Sequence, residues 1–172
     1  MTDALITSDV VELVRARGWA RVTMGALARA AGVSRQTLYN RFGSRESVAE
    51  AYVVREIDLA FDAAFTVVGA YEDPTDALAA AVDVLLAQVA RSLAGALSAA
   101  SEPDRFIALT SLTLAHGVER LADLVGWLRA DLPVADRRAV ADVLCRLIVS
   151  NAMVPPEDRG DAVAAMVSRL QL

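Results

Sequence analysis

Thr23 and Ser34 each follow a valine and stand four residues before a leucine, Val22/Leu27 in one case and Val33/Leu38 in the other. No other feature confines the fold of this chain so tightly. A hydroxyl at a helix N-cap accepts from an orphan backbone N–H of the first turn. Apolar residues just before the cap and four after it pack together as a staple that fixes how the chain enters the helix. Between the two caps, Gly32 supplies the positive φ that a sharp turn after a helix requires. Ala28, four residues earlier, is small enough to let one helix cross closely over the other. The spacing predicts helices over about 24–30 and 35–41, joined by a tight turn and running into a third. That is a helix-turn-helix, whose second helix can enter the DNA major groove.

The distribution of charge points the same way. From Leu13 to Arg45 there are seven arginines (Arg15, Arg17, Arg21, Arg29, Arg35, Arg41, Arg45) and no acidic residue. Residues 1–52 carry seven arginines against five acids, whereas residues 53–172 carry ten against seventeen. A net charge of −5 spread evenly would repel a polyanion; here the positive charge is gathered on the helix-turn-helix, as expected of a DNA reader. The chain has no lysine, so the choice of arginine at any one site carries little information.

The segment from about Ile6 to Glu50 resembles the DNA-binding domain of the TetR family of bacterial one-component regulators. The resemblance is carried by an amphipathic first helix ending in Arg17-Gly18, by Trp19 and Thr23, and by Leu27-Ala28 followed by Gly32-Val33-Ser34. Leu38-Tyr39 and Phe42-Gly43-Ser44-Arg45-Glu46, which opens a long fourth helix, complete it. Beyond residue 50 the likeness is one of length, helicity and apolar composition. Three positions depart from the family pattern: Gly25 in the first turn of the second helix, Asn40-Arg41 before the phenylalanine, and Arg45 in place of a usual lysine. None removes a needed donor.

Arg35, Gln36, Thr37 and Asn40 lie at the N-terminal end and on the outer side of the recognition helix, and are the candidates for base-edge contact. Arginine bridges guanine O6 and N7 and glutamine bridges adenine N6 and N7, each worth about 1–3 kcal/mol of discrimination. The competing reading is that they are solvated surface residues. Thr23, Ser34, Tyr39, Arg41, Ser44 and Arg45 are the candidates for phosphate contact. The resemblance implies this role for the capping threonine, the tyrosine and the basic residue opening the fourth helix, and helix N-termini present free N–H groups to anions. Tyr39 is alternatively a core aromatic. Phe42 and Trp19 are assigned to the core.

With 172 residues, the chain accommodates a helix-turn-helix domain over 1–50 and a helical effector-binding and dimerisation domain over 51–172. Hydrophobic residues make up 55% and charged residues 23%, so part of the apolar surface is expected in a subunit interface and a pocket. Ala77–Ala100 is the stretch most like a membrane span, but it holds Asp83, Gln88 and Arg91. A mid-span charge costs about 2.5–3.5 kcal/mol, so the stretch reads as a buried amphipathic helix and no membrane association is expected. The Met-Thr-Asp-Ala start lacks a basic signal-like region, and Cys145 is the single cysteine, so a cytoplasmic protein without a disulfide framework is expected.

The spacing predicts an all-α fold of about nine helices, with no alternating strand pattern. The first runs from about Asp3 to Arg17 and the fourth from Ser44 to about Ala70, with Val48, Tyr52, Phe61, Phe65 and Val68 inward and Glu50, Asp58 and Asp62 outward. Asp73-Pro74 opens a helix over about 74–99. Residues 103–131 read as helical with a break near His116-Gly117, and helices over about 134–152 and 157–171 follow.

Val140, Val143, Leu144, Leu147 and Ile148 form one apolar face near the end of the chain, and Ala162, Val163, Met166, Val167 and Leu170 form another. So much apolar surface calls for a partner, and in the family that the chain resembles two such helix pairs meet as a four-helix bundle. A twofold homodimer would present two recognition helices to a palindromic operator. The expected effector pocket, between the fourth and seventh helices, is lined by Phe61, Phe65, Val89, Leu93 and Phe106. Leu109, Leu112, Thr113, His116 and Trp127 continue it. Ordinary core is the alternative for each, and a single hydrogen-bonded histidine for His116. Cys145 reads as packing or as a redox sensor.

There is no catalytic set, no metal-ligand pattern and no implied cofactor. The reading is therefore a dimeric, sequence-specific DNA-binding regulator. It acts as a repressor released from a palindromic operator by a small apolar effector of lipid-like character. The alternative is an apolar-ligand-binding or partner-regulated protein whose DNA binding no effector controls.

Overall fold

A computed structural model describes residues 3–97 and 103–153. Among them the fold is all-α, with no strand: α1 (Ser8–Arg17), a 3-10 turn (Trp19–Arg21), α2 (Met24–Ala30), α3 (Arg35–Phe42) and α4 (Arg45–Val68). α5 (Pro74–Leu97), α6 (Pro103–Leu128) and α7 (Val134–Met153) follow. The expected helix over 157–171 lies outside the described residues. The chain divides into two compact units, one of Met1–Glu56 with Ser92–Thr113 and one of Ile57–Arg91 with Leu114–Leu172.

In the first unit, α1 packs on α2 and on the 3-10 turn, and α2 packs on α3. Both anticipated caps form: the Thr23 hydroxyl accepts from the Ala26 N–H at 3.2 Å and the Ser34 hydroxyl from the Thr37 N–H at 3.0 Å. Leu27 and Leu38, the inner halves of the staples, are fully buried, as is Val22, while Val33 is half-buried. Gly32 takes φ +70°, and the Val33 N–H closes back onto the Ala28 carbonyl at 2.9 Å. This 6→1 bond ends α2 and turns the chain into α3.

The first helix starts later than the expected Asp3. Asp3 instead closes a turn, accepting from the Leu5 N–H on its side chain and from the Ile6 N–H on its carbonyl, both at 3.0 Å. Thr7 is the cap of α1, accepting from the Val10 N–H, with buried Ile6 and Val11 in staple positions. Its hydroxyl also donates to the Ala30 carbonyl at the end of α2. One residue thus starts α1 and ties it to the helix-turn-helix.

In the second unit, Asp73 caps α5, its Oδ1 accepting from the Thr75 N–H at 2.8 Å and the Asp76 N–H at 3.1 Å. Those N–H groups, Asp76's foremost, hold the Asp73 carboxyl below the usual carboxylate range. Ala64, Ala81 and Ala141 are fully buried, and Phe61, Val82, Leu85, Leu121, Leu124 and Leu144 fill the core around them. The break expected near His116-Gly117 does not occur, because α6 runs uninterrupted to Leu128. Gly117 answers to packing instead: a Cβ there would lie 2.8 Å from the Cys145 sulfur. The α6–α7 turn is held by Arg137, which donates to the Leu132 carbonyl at 2.7 Å and the Ala130 carbonyl at 2.8 Å.

Candidate nucleic-acid interface

The inner face of α3 is a single leucine. Leu38 is buried, whereas Arg35, Gln36, Thr37, Asn40 and Arg41 are exposed and Tyr39 is half-buried. All four candidates for base contact therefore stand on the solvent side of one short helix. They are ordered along it by pairs one turn apart. The Gln36 amide donates to the Asn40 Oδ1 at 2.8 Å, and Arg35 donates to the Tyr39 hydroxyl at 3.4 Å. The Arg35 guanidinium also lies 5.4 Å from the Tyr39 ring centre. Thr37 shares a 2.8 Å hydrogen bond with the hydroxyl of Ser34. Stacking on Tyr39 leaves most of the Arg35 fork free to donate, and the Gln36–Asn40 pair presents donor and acceptor atoms side by side. No acidic side chain lies in the first turn of α2 or of α3.

The phosphate candidates divide by what already holds them. Thr23 and Ser34 are exposed at the N-termini of α2 and α3, where free N–H groups and the helix dipole favour an anion. Ser44 is half-buried and accepts from the Ser47 N–H at 3.0 Å, opening α4. Arg41 donates to the Asp3 carboxylate at 2.6 Å, although the guanidinium side chain remains 63% exposed. Arg45 is built into the unit: it donates to the backbone carbonyls of Val22, at 3.2 Å, and Trp19, and its guanidinium lies 5.0 Å from the Trp19 ring centre. Trp19 is buried, as expected of a core residue, and Phe42 is half-buried.

Sequence reasoning missed two residues of this unit. Thr7 carried a readable signal, since Ile6-Thr7 with Val11 repeats the staple pattern of Thr23 and Ser34. Glu56 carried none: nothing local marks an acid in the middle of α4 as buried. Its Oε2 accepts from Arg15 Nη2 at 3.0 Å.

The residues expected to line a pocket belong to both units. In the second, Phe61 is buried, Phe65, Val89 and His116 are half-buried, and Trp127 is 62% exposed on the surface. His116 Nε2 is 2.9 Å from Asp58 Oδ1. Arg120 reaches Asp58 and Asp62 and lies over the rings of Phe61 and Phe65. In the first unit, Leu109 and Thr113 are buried and Leu112 is half-buried. Leu93 and Phe106 lie on α5 and α6, with side chains outside the described residues.

Of the residues expected at a dimer interface, Leu144 and Ile148 are turned into the core of their own unit. Of the others on α7, Val143 is exposed and Val140 and Leu147 are half-buried. Ala162, Val163, Met166, Val167 and Leu170 lie outside the described residues. Among the described residues, no group of acidic, histidine or cysteine side chains could hold a metal ion, and no helix is long and apolar enough to cross a membrane.

Residues 6–52 match the family of bacterial regulatory proteins described as the tetR family. The HTH-type transcriptional regulator AlkX of Mycobacterium tuberculosis is 43% identical over 63 residues, covering 34% of this chain and 30% of that protein. The chain thus spans under a third of the length of this relative. Over 97% of its own length and 91% of the other chain, its fold is similar to that of the TetR family repressor AlkX from Dietzia sp. strain DQ12-45-1b, implicated in biodegradation of n-alkanes. The TM-score there is 0.76 at 24% identity. Thermus thermophilus FadR, a TetR family transcriptional repressor in complex with lauroyl-CoA, is similar in fold over the same shares, with a TM-score of 0.61 at 22% identity. At these identities the likeness to the two solved structures is one of fold.

Proposed function

We infer that this chain, whose residues 6–52 match the tetR family of bacterial regulatory proteins, is a sequence-specific DNA-binding transcriptional repressor. It acts as a homodimer on a palindromic operator and is released by a small apolar effector. One observation carries the DNA-reading part. The solvent face of α3 presents Arg35, Gln36, Thr37 and Asn40, with a single buried leucine behind it and a capped N-terminus. These side chains match the donor and acceptor patterns of base edges in the major groove. Thr23, Ser34, Tyr39, Arg41, Ser44 and Arg45 flank that face and fix its register on the phosphates.

Dimerisation is supported by the apolar side chains that α7 leaves at the surface, Val143 among them. The lipid-like effector is supported by the aromatic and aliphatic residues Phe61, Phe65 and Val89 of the second unit, and by the company the fold keeps. The Dietzia AlkX repressor is implicated in biodegradation of n-alkanes, and Thermus thermophilus FadR holds lauroyl-CoA. An effector releases DNA to the extent that it binds better to a state that reads DNA poorly.

The test is a binding titration of the purified chain on duplexes tiled across the DNA upstream of its own coding sequence. It is repeated at several salt concentrations and then with alkanes, fatty acids and acyl-CoA thioesters added. The expected result is one protected palindromic site whose affinity falls steeply with salt and is lost with one of these apolar ligands. Equal affinity for every duplex would overturn the reading.

A further inference from the structure

We propose that the ion pair between Glu56 and Arg15 is a positioning device for DNA reading, fixing the register in which the first half of α4 seats on α1 inside the reading unit. The inference rests on the DNA-binding role argued above. Residues 45, 52 and 56 fall on one stripe of α4, because seven and eleven residues bring a helix almost back to the same angle. Each member of the stripe grips an element of the reading unit. Arg45 holds the carbonyls of Trp19 and Val22 and lies over the Trp19 ring. Tyr52 is buried and stacks on Trp19, with ring centres 6.0 Å apart and planes at 30°. Glu56 takes the guanidinium of Arg15, in the last turn of α1, at 3.0 Å.

The third grip differs in kind from the other two. The Glu56 side chain is 3% exposed, whereas that of Arg15 is 49% exposed, so the carboxylate is the desolvated partner. A buried ion pair is a poor device for stability, because well-packed apolar residues in its place are often as stable or more so. Its directional hydrogen bond instead favours one rotation and register of the two helices over neighbouring ones. Tyr52 lies one turn before Glu56, and its phenol is pushed up chiefly by burial and then by the Glu56 carboxylate. Glu56 is also the last α4 residue of the first compact unit, with the helix continuing from Ile57 in the other. Within the first unit, the pair therefore fixes how the opening turns of α4 seat against α1 and the elements that carry α3.

The experiment compares Glu56→Gln, the double variant Arg15→Met/Glu56→Leu and the wild-type chain on two duplexes of equal length, the protected upstream site and a scrambled sequence. Thermal melting is measured alongside. Non-specific binding is electrostatic and tolerates a misaimed helix, whereas base reading does not. The expected result is a loss of about tenfold or more on the protected site, unchanged affinity for the scrambled duplex, and a double variant that melts with the wild type. Arg15→Lys, which keeps the charge, should retain most of the preference. Wild-type preference in the double variant would overturn the proposal, as would a parallel loss on both duplexes that follows thermal stability. Should Glu56→Gln fail to fold, the double variant decides alone. A wild-type chain without preference would overturn the DNA-binding reading itself, an outcome distinct from the others.

Discussion

The sulfur of Cys145 on α7 occupies the space that a methyl group on Gly117 of α6 would need, 2.8 Å from where that Cβ would stand. Alanine is favoured over glycine by about 1 kcal/mol in a helix interior. Overpacking a core typically costs about 1–3 kcal/mol. Because the thiol is buried and turns on a single bond, the second effect should win. Gly117→Ala is expected to lower the melting temperature. In a Cys145→Ala background the same change should raise it. A double-mutant cycle by thermal melting measures the coupling, and independent effects of the two substitutions would contradict the contact.

The same burial pushes the Cys145 thiol up to about 11, with Asp142 adding to the shift and Arg146 opposing it. A thiol in the unfolded chain ionises near 8.5. The sign follows by linkage: stability is full below about pH 8.5 and is lost progressively as pH rises towards about 11, because only the unfolded chain releases the proton. The thiolate is the reactive form, so the native protein should resist a thiol reagent at neutral pH and react fully once denatured. A rate of modification equal to that of a free thiol would return Cys145 to the list of redox sensors. Cys145→Ala should lack this component of the alkaline loss.

The helix-turn-helix was legible because its determinants are local. Caps, staples and Gly32 act within a few residues, so their spacing is visible in the chain. Thr7 obeys the same rule and was passed over because Asp3 offered an earlier start, and a side chain closing its own turn looks like a cap in sequence. The glycine at 117 shows the opposite case. Its reason is a sulfur 28 residues away on another helix, and no local pattern distinguishes that from a helix break. Glu56 was illegible for a related cause, since an acid at an apolar position becomes meaningful only once Arg15, 41 residues away, is brought to it.

Three hydroxyls should therefore contribute alike to stability and unlike to function. Thr7→Ala, Thr23→Ala and Ser34→Ala are each expected to cost about 0.5–2 kcal/mol, the usual range for a lost cap. Thr7→Ala should stand at the upper end, because it also gives up the bond to the Ala30 carbonyl. Thr23 and Ser34 flank the DNA-reading face, so their alanine variants should also bind DNA more weakly under conditions where all three are fully folded. Denaturant melts and DNA titrations on the three variants check this, and a DNA defect confined to Thr7→Ala would reverse the assignment.

Arg45 and Gln36 should separate scaffold from reader. Arg45 bonds two backbone carbonyls and covers Trp19, and a hydrogen bond from a charged donor is worth about 1.5–3 kcal/mol. Arg45→Ala is expected to lower stability by an amount of that order, to weaken binding to all sequences alike, and to reduce the salt slope by about one unit. Gln36 is exposed and its amide bonds Asn40 on the same helix face, so Gln36→Ala should leave the melting temperature within about 1 °C. It should instead relax preference at one position of each half-site, by about 1–3 kcal/mol of discrimination. Titrations across single-base variants of the protected site read both effects together. A change of sequence preference in Arg45→Ala, or a uniform loss in Gln36→Ala, would exchange the two roles.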